Sequence, residues 1–370
     1  MRRPINTRVT LREIADSLGI SVSTVSRALN PSSRHSVTPK LTAEIQRASQ
    51  ALGYTPNAAA YSLKTNRSRT IGVVIPDIAD PVFPPIIRGI EQGLSARNYV
   101  AILGNTDGEA DAEAKTIETM SARGVDGFIL ASVTRKGPAA LKSIDGKPVV
   151  TVIRALDGTN VPSVTHDQSE GVRRLLTHLV SLGHRDIANI AGPQDISTGF
   201  QRLRAFEQHC KLMGIRYDKS LVAVSTHFTE NEGERCAEEL SARGIPFTAV
   251  ICANDRLAIG AIAAFERHGL SCPDDVSVTG MNDMPLVDRL KPPLTTVRNQ
   301  HFQAGLDVAE MIIQCLESPD APKPKNVVLP VDLVVRGSTG VPSKRQSPLE
   351  RPSARKPALS KPRRPSWLRV

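Results

Sequence analysis

Aromatic side chains are scarce in this sequence, 4% of 370 residues. So few rings argue against a surface that stacks the bases of single-stranded nucleic acid. Cysteine is scarce too: Cys210, Cys236, Cys252, Cys272 and Cys315 are odd in number, far apart, and form no C-x-x-C pair. That usage fits buried thiols in a reducing cytoplasm, not a disulfide framework. No export signal opens the chain and no apolar run reaches the roughly 18 residues of a membrane span, so a cytoplasmic protein with no membrane partner is expected. Catalytic signatures are missing as well. There is no G-x-x-x-x-G-K-[ST] loop, no G-x-G-x-x-G after the first strand, no G-x-S-x-G and no H-E-x-x-H. His178 and His184 are six residues apart and do not stack on one helix face, and the adjacent His209 and Cys210 diverge by about 100° on a helix, a poor metal pair. The expectation is no catalytic residue, no metal, no cofactor and no enzyme.

Charge is plentiful but uneven. Of a net +10, residues 1–68 hold ten Lys/Arg against three acids and residues 341–370 hold nine against one, which leaves the stretch between them acidic by five. A basic head on a mildly acidic body localises contact with nucleic acid to the head. Past Val341 the chain turns Pro-, Ser- and Arg-rich and cannot bury a core, so residues 341–370 are expected to be a disordered basic tail. That tail reads either as extra attraction for DNA phosphates or as a solvated extension.

The head is where the pattern is sharpest. Thr10 and Glu13 form a T-x-x-E capping box, and Leu11, Ile14, Ala15 and Leu18 make one apolar stripe over about two turns. Gly19 ends that helix and Ser21 caps the next. There Val25, Ala28 and Leu29 face one way, whereas Val22, Ser23, Ser26 and Arg27 face the other. A small, hydroxylic and basic face suits a helix laid in a DNA major groove, where an Arg bonds a guanine edge and hydroxyls hold phosphates. Thr38-Pro39 reads as a cap with proline at the first position of a third helix, striped by Leu41, Ile45, Ala48 and Leu52 and ended by Gly53.

The run V-T-L-R-E-I-A-D-S-L-G-I-S-V-S-T-V-S-R-A-L-N, followed by G-Y-x-P-N-x-x-A-x-x-L-K, resembles the DNA-binding domain and hinge helix of the LacI/GalR family of bacterial repressors. The resemblance implies base reading by Val22, Ser23 and Arg27, with Thr10, Ser21, Thr24 and Ser26 on phosphates. It also implies a hinge helix that puts Asn57, Ala60, Leu63 and Lys64 in the minor groove. Leu63 would wedge between central base pairs and bend the duplex. The implied organisation is a helix-turn-helix domain over residues 1–55, a hinge over 56–68 and a two-lobed effector and dimerisation core over 69–340.

From Thr70 short apolar strands alternate with helices, in two similar rounds: parallel sheets covered on both faces, in two lobes. Segments near Val164, Val297 and Val328 read as the crossings between lobes, and the helix from Pro84 to Asn98 carries Ile87, Ile90, Glu91 and Leu94 near its inner stripe. Ligands in such folds sit at the carboxyl ends of the strands, here the cleft between lobes. The resemblance continues through H-L-V-S-L-G-H-R-D-I-A-N-I-A-G-P (178–193), R-L-R-A-F (202–206), A-N-D-R-L-A-I-G (253–260), D-V-S-V-T-G-M-N-D (275–283), P-P-L-T-T-V (292–297) and V-V-R-G-S-T (334–339), which look like periplasmic-binding-protein-like core landmarks. It implies that Arg202 and Asn254 face a polyhydroxylated or anionic effector, with Phe83 either stacked on the ligand or in the core. Asn282 stands where the family usually has Asp, which puts a plain neutral-sugar effector in doubt; Asp283 reads as the surviving acid or as a loop charge. Arg154 and Asp167, near strand ends, read as partners in salt bridges more than as effector contacts. The expected function is a homodimeric, effector-controlled regulator on a near-palindromic double-stranded operator, most simply a repressor. The alternatives are an activator or corepressor-dependent regulator, or a solute-binding protein if the head were idle.

Overall fold

A computed structural model describes residues 9–29, 36–55, 67–137, 141, 144 and 146–343. The chain divides into two compact units between Ser68 and Arg69. The hinge positions Asn57, Ala60, Leu63 and Lys64 and the tail beyond Ser343 lie outside the described residues.

The first unit is three helices, α1 (Leu11–Leu18), α2 (Val22–Leu29) and α3 (Pro39–Ala51), around Ile14, Ala15, Val25, Ala28 and Ile45. Both halves of the capping box form: the Glu13 N–H donates to Thr10 Oγ1 at 3.3 Å, and the Thr10 N–H donates to Glu13 Oε2 at 2.7 Å. Gly19 ends α1 at a positive φ of 66°, where a side chain would be strained, and so the tight turn into α2 is possible. Ser21 does cap α2, taking the Thr24 N–H at 3.2 Å. The third helix departs from expectation at two points. Thr38 sits at its N-cap but makes no capping hydrogen bond, and the buried stripe is Thr42, Ile45 and Ser49, with Leu52 at the surface beyond the last turn.

The second unit holds two six-stranded sheets. In the first lobe β1 (Thr70–Ile75), β2 (Val100–Asn105), β3 (Gly127–Leu130), β4 (Val149–Val152), β5 (Ser163–His166) and β11 (Val327–Leu329) run parallel in the order β11-β5-β4-β3-β1-β2. In the second, β6 (Ile187–Ala191), β7 (Val222–Val224), β8 (Ala249–Cys252), β9 (Ser277–Asn282), β10 (Thr295–Arg298) and β12 (Asp332–Val334) repeat the plan as β12-β10-β9-β8-β6-β7, with only β12 antiparallel. Alternation along β1 feeds two faces: Ile71 and Val73 pack beneath α4 (Phe83–Ser95), while Val74 packs with Ile117 and Met120 of α5 (Ala110–Ala122). The inner stripe of α4 is Phe83, Ile86, Gly89, Ile90 and Leu94; Glu91 is exposed and Ile87 half-buried, one position off the expected register.

Helices α6 (Gln168–Ser181), α7 (Ser197–Leu212), α8 (Glu230–Ala242) and α9 (Asp255–Arg267) cover the second sheet. The last helix, α10 (His301–Glu317), has no counterpart in the sequence reading and returns to the first lobe, against α4. Gly89 and Gly305 meet there backbone to backbone: a Cβ on either would collide with the main chain of the other helix. The chain crosses between lobes three times, after β5, after β10 and between β11 and β12, beside Val164, Val297 and Val328. Of the cysteines, Cys210, Cys236 and Cys252 are buried, Cys272 and Cys315 half-buried, and all are unpaired thiols. Burial pushes the Cys210 thiol up to about 12 and makes it unreactive.

Candidate functional site

The head presents a coherent polar face. With Val25 and Ala28 turned into the core, the spacing of α2 leaves Val22, Ser23 and Arg27 at the surface. Ser21 and Thr10 are exposed, Thr24 and Ser26 half-buried. The Ser21 hydroxyl bonds those of Ser23 and Thr24, both at 2.8 Å, and Arg27 lies back along the helix with Nε donating to the Ser23 carbonyl at 3.3 Å. Hydroxyl, hydroxyl and guanidinium therefore share one short, preorganised strip.

In the core, the carboxyl ends of strands from both sheets converge on one cavity of about 50 Å3. Phe83, Arg202, Asn254 and Asn282 all line it, so the four residues proposed for the effector come together in space. They are not equivalent. Asn254 is spent on the protein: its Oδ1 caps α9 by accepting the Leu257 N–H at 2.9 Å, and its Nδ2 lies 3.5 Å from the Phe228 carbonyl. Arg202 is buried and held by Gln168 Oε1 at 2.6 Å and by the Ala253 carbonyl. Burial brings its guanidinium down to about 10, against the pull of the Asp255 carboxylate. Asn282, at a positive φ of 125°, accepts from Asn299 Nδ2 at 2.9 Å and so keeps its own NH2 for the cavity. Phe83 is both: it lines the cavity and belongs to the core.

Three other readings resolve. Asp283 is no cavity acid, since its two oxygens pair with Arg298 at 2.7 Å and Arg336 at 2.6 Å. Asp167 is a helix cap, accepting the Glu170 N–H at 2.8 Å, and not a salt-bridge partner. Arg154 is not in a close ion pair either. It lines the cavity and donates to the Ser132 carbonyl at 2.8 Å, and burial lowers it to about 10 while Glu113 and Asp80 favour its charge.

The sequence reading missed His166, Gln168, Asn299 and His301, which line the same cavity. His166 and His301 meet edge to face with ring centroids 5.4 Å apart. Burial brings His166 down to about 4 and His301 to about 3, so both rings are neutral at pH 7. His166 Nε2 and Asn299 Oδ1 are buried with no hydrogen-bond partner. Such atoms cost about 1–3 kcal/mol each when left unpaired. The missed residues lie two to four positions after Val164 and Val297, at or just beyond the ends of the crossing strands β5 and β10. Polar residues immediately after an interlobe strand were the available signal.

Among the described residues no group of three or more His, Cys, Asp or Glu could hold a metal, and no helix is long and apolar enough to cross a membrane.

Comparison with known proteins fits this geometry. Residues 10–57 match the model of bacterial regulatory proteins, lacI family, and residues 176–339 match a periplasmic binding protein-like domain. The chain is 29% identical over 335 residues to the HTH-type transcriptional repressor CytR of Escherichia coli (strain K12), covering 90% of this chain and 97% of that one. It is 31% identical over 341 residues to the HTH-type transcriptional regulator CelR of Thermobifida fusca, covering 90% and 98%. Among solved structures it resembles the lac repressor dimer bound to operator and the anti-inducer ONPF, with TM-score 0.79, 26% identity and coverage of 90% and 100%. It also resembles a CelR–cellobiose complex, with TM-score 0.69, 29% identity and the same coverage. A lacI-family head over residues 10–57 thus precedes a periplasmic binding protein-like domain over 176–339, the likeness to CelR spans nearly the whole of both chains, and the protein belongs to the lacI family of bacterial regulatory proteins.

Proposed function

We propose that this protein is a transcriptional repressor that binds a near-palindromic operator as a homodimer and answers to a small polyhydroxylated effector in the interlobe cavity, with no catalysis of its own. The reading of DNA rests on the exposed Val22, Ser23 and Arg27 strip of α2, with the hydroxyls of Thr10, Ser21, Thr24 and Ser26 as phosphate contacts. Asn57, Ala60, Leu63 and Lys64 are proposed to enter the minor groove, and two heads related by two-fold symmetry impose a two-fold site.

The carrying observation for the effector is the pair of buried polar atoms without a hydrogen-bond partner, His166 Nε2 and Asn299 Oδ1, which a guest rich in hydroxyls, able to donate and to accept, would satisfy. Charge narrows the class. Asp80 and Glu113 favour the charge on Arg154 and Asp255 that on Arg202, so carboxylates in the surroundings already balance the two buried cations without pairing them, and a neutral guest fits better than an anionic one. CelR in complex with cellobiose is a precedent for such a guest.

The test is selection of genomic fragments by the purified protein at near-physiological salt, followed by sequencing. A short palindrome should emerge, and Arg27→Ala should relax base choice at one symmetric position while leaving the rest of the site intact. Enrichment with no shared site would leave only electrostatic attraction and defeat the repressor reading.

A further inference from the structure

Outside the cavity the two lobes touch where a loop of the first lobe meets the start of α7. Arg135, in the loop after β3 of the first lobe, lays its guanidinium carbon 3.4 Å from the ring centroid of Phe200 on α7 of the second lobe. Its backbone N–H donates to the Asp195 carbonyl at 2.7 Å and its Nη1 to the Gln194 carbonyl at 3.2 Å, both across the cleft. Asp157 of its own lobe fixes the guanidinium from the other side, at 2.6 Å. Nearby, the Ala155 N–H donates to Ser197 Oγ at 2.9 Å, again from lobe to lobe. The side chain is only 16% exposed, so the cation–π contact and hydrogen bonds act with little competition from water. A second charged contact between the lobes among the described residues is looser. Arg256 stands 3.9 Å from both Asp77 and Asp80 and is already committed to Glu230 at 2.8 Å.

We propose that Arg135 and Phe200 form a latch that holds the lobes closed in the absence of any effector, and so act as positioning residues for the cavity. The consequence for the effector rests on the reading above. Thr198 and Arg202 line the cavity from α7, the helix that carries Phe200, so the latch seats part of the binding surface before a ligand arrives. A ligand that bonds both lobes binds only the closed arrangement, and its apparent affinity scales with the fraction of molecules already closed. Loosening the latch therefore raises the effector concentration needed for a response without touching the ligand or the DNA.

Hydrogen–deuterium exchange on the full-length protein without ligand tests closure, because the amides of Arg135 and Ala155 are bonded across the cleft. Both should be protected in the wild type. Phe200→Ala leaves both amides in place and should speed their exchange about tenfold or more, with β1 and β3 unchanged. Phe200→Tyr keeps the aromatic face and should restore wild-type rates. Should Phe200→Ala fail to fold, Arg135→Lys keeps the charge but loses the flat stack and carries the same expectation. Fast exchange at Arg135 and Ala155 in the wild type, or rates untouched by these substitutions, overturns the latch. A thermal-shift screen that finds no polyol or sugar ligand would instead count against the effector reading and leave the latch standing.

Discussion

At the scale of single residues, the cavity is governed by what stays neutral. Two buried histidines with lowered proton affinity make the core sensitive to acid, and the sign is fixed by linkage: each stabilises the fold fully above its unfolded value near 6.5, and that contribution is lost as pH falls toward about 4 for His166 and about 3 for His301. Asp255 works the other way. Burial raises its carboxyl to about 6, so its share is present in acid and lost as pH rises through that value. Burial also raises Asp80 and Glu113 and lowers His178 and His184, so groups of both signs are present, and the large shifts of His166 and His301 leave a net loss on acidification. Urea unfolding of the core should show stability dropping between pH 6.5 and pH 4, with His166 contributing about 3 kcal/mol. In His166→Gln that slope should flatten; an unchanged slope would contradict neutral burial. This scale is also where the sequence is least legible. Asn254 reads as a ligand group from its motif, but the same N-x-x-L spacing is an ordinary helix cap. His166, Asn299 and His301 sit at two separate crossings, and only the topology brings them together.

At the scale of elements, local signals and burial agree best where polar and apolar positions contrast. The capping box, Gly19 and the stripe of α1 are all readable from the ten residues Thr10 to Gly19. The helix α10 goes unread although Gln303, Asp307, Glu310, Gln314 and Glu317 repeat at helical spacing opposite the buried Ala304, Val308, Ile312 and Leu316. The period is present; what is missing is a boundary, since Gln300 gives no capping hydrogen bond at its start. Its contact with α4 yields a direct test. Gly305→Ala forces two main chains apart and should cost about 1–3 kcal/mol of core stability, measured by urea unfolding. Thermal or chemical stability equal to wild type would mean the helices can slide to make room.

At the scale of the whole molecule, the composition already separated a basic head from an acidic body, and alternating strands and helices gave two lobes, because both properties are sums over many residues. Dimer formation needs surface geometry that sums do not contain. The two sheets end on corresponding edge strands, β2 and β7, and β2 exposes Val100, Ile102 and Leu103. An apolar parallel edge invites pairing with a second copy. If the proposed homodimer pairs through this edge, changing Val100 and Ile102 to Lys together should give monomers in analytical ultracentrifugation and weaken operator binding at least tenfold, since each head would then hold its half-site alone. Unaltered sedimentation would place the dimer contact elsewhere.

The three crossings between the lobes set what the core can say. Two bodies joined by one strap can twist, slide and roll; joined by three straps at the floor of a shared cleft, they keep a single easy motion, a change of opening angle. Whatever chemistry enters the cavity must leave the core as that one number. Two unlike molecules that hold the lobes at the same angle would be the same message, and the discrimination between them must be finished inside the cavity, by its hydrogen bonds, before the angle is set.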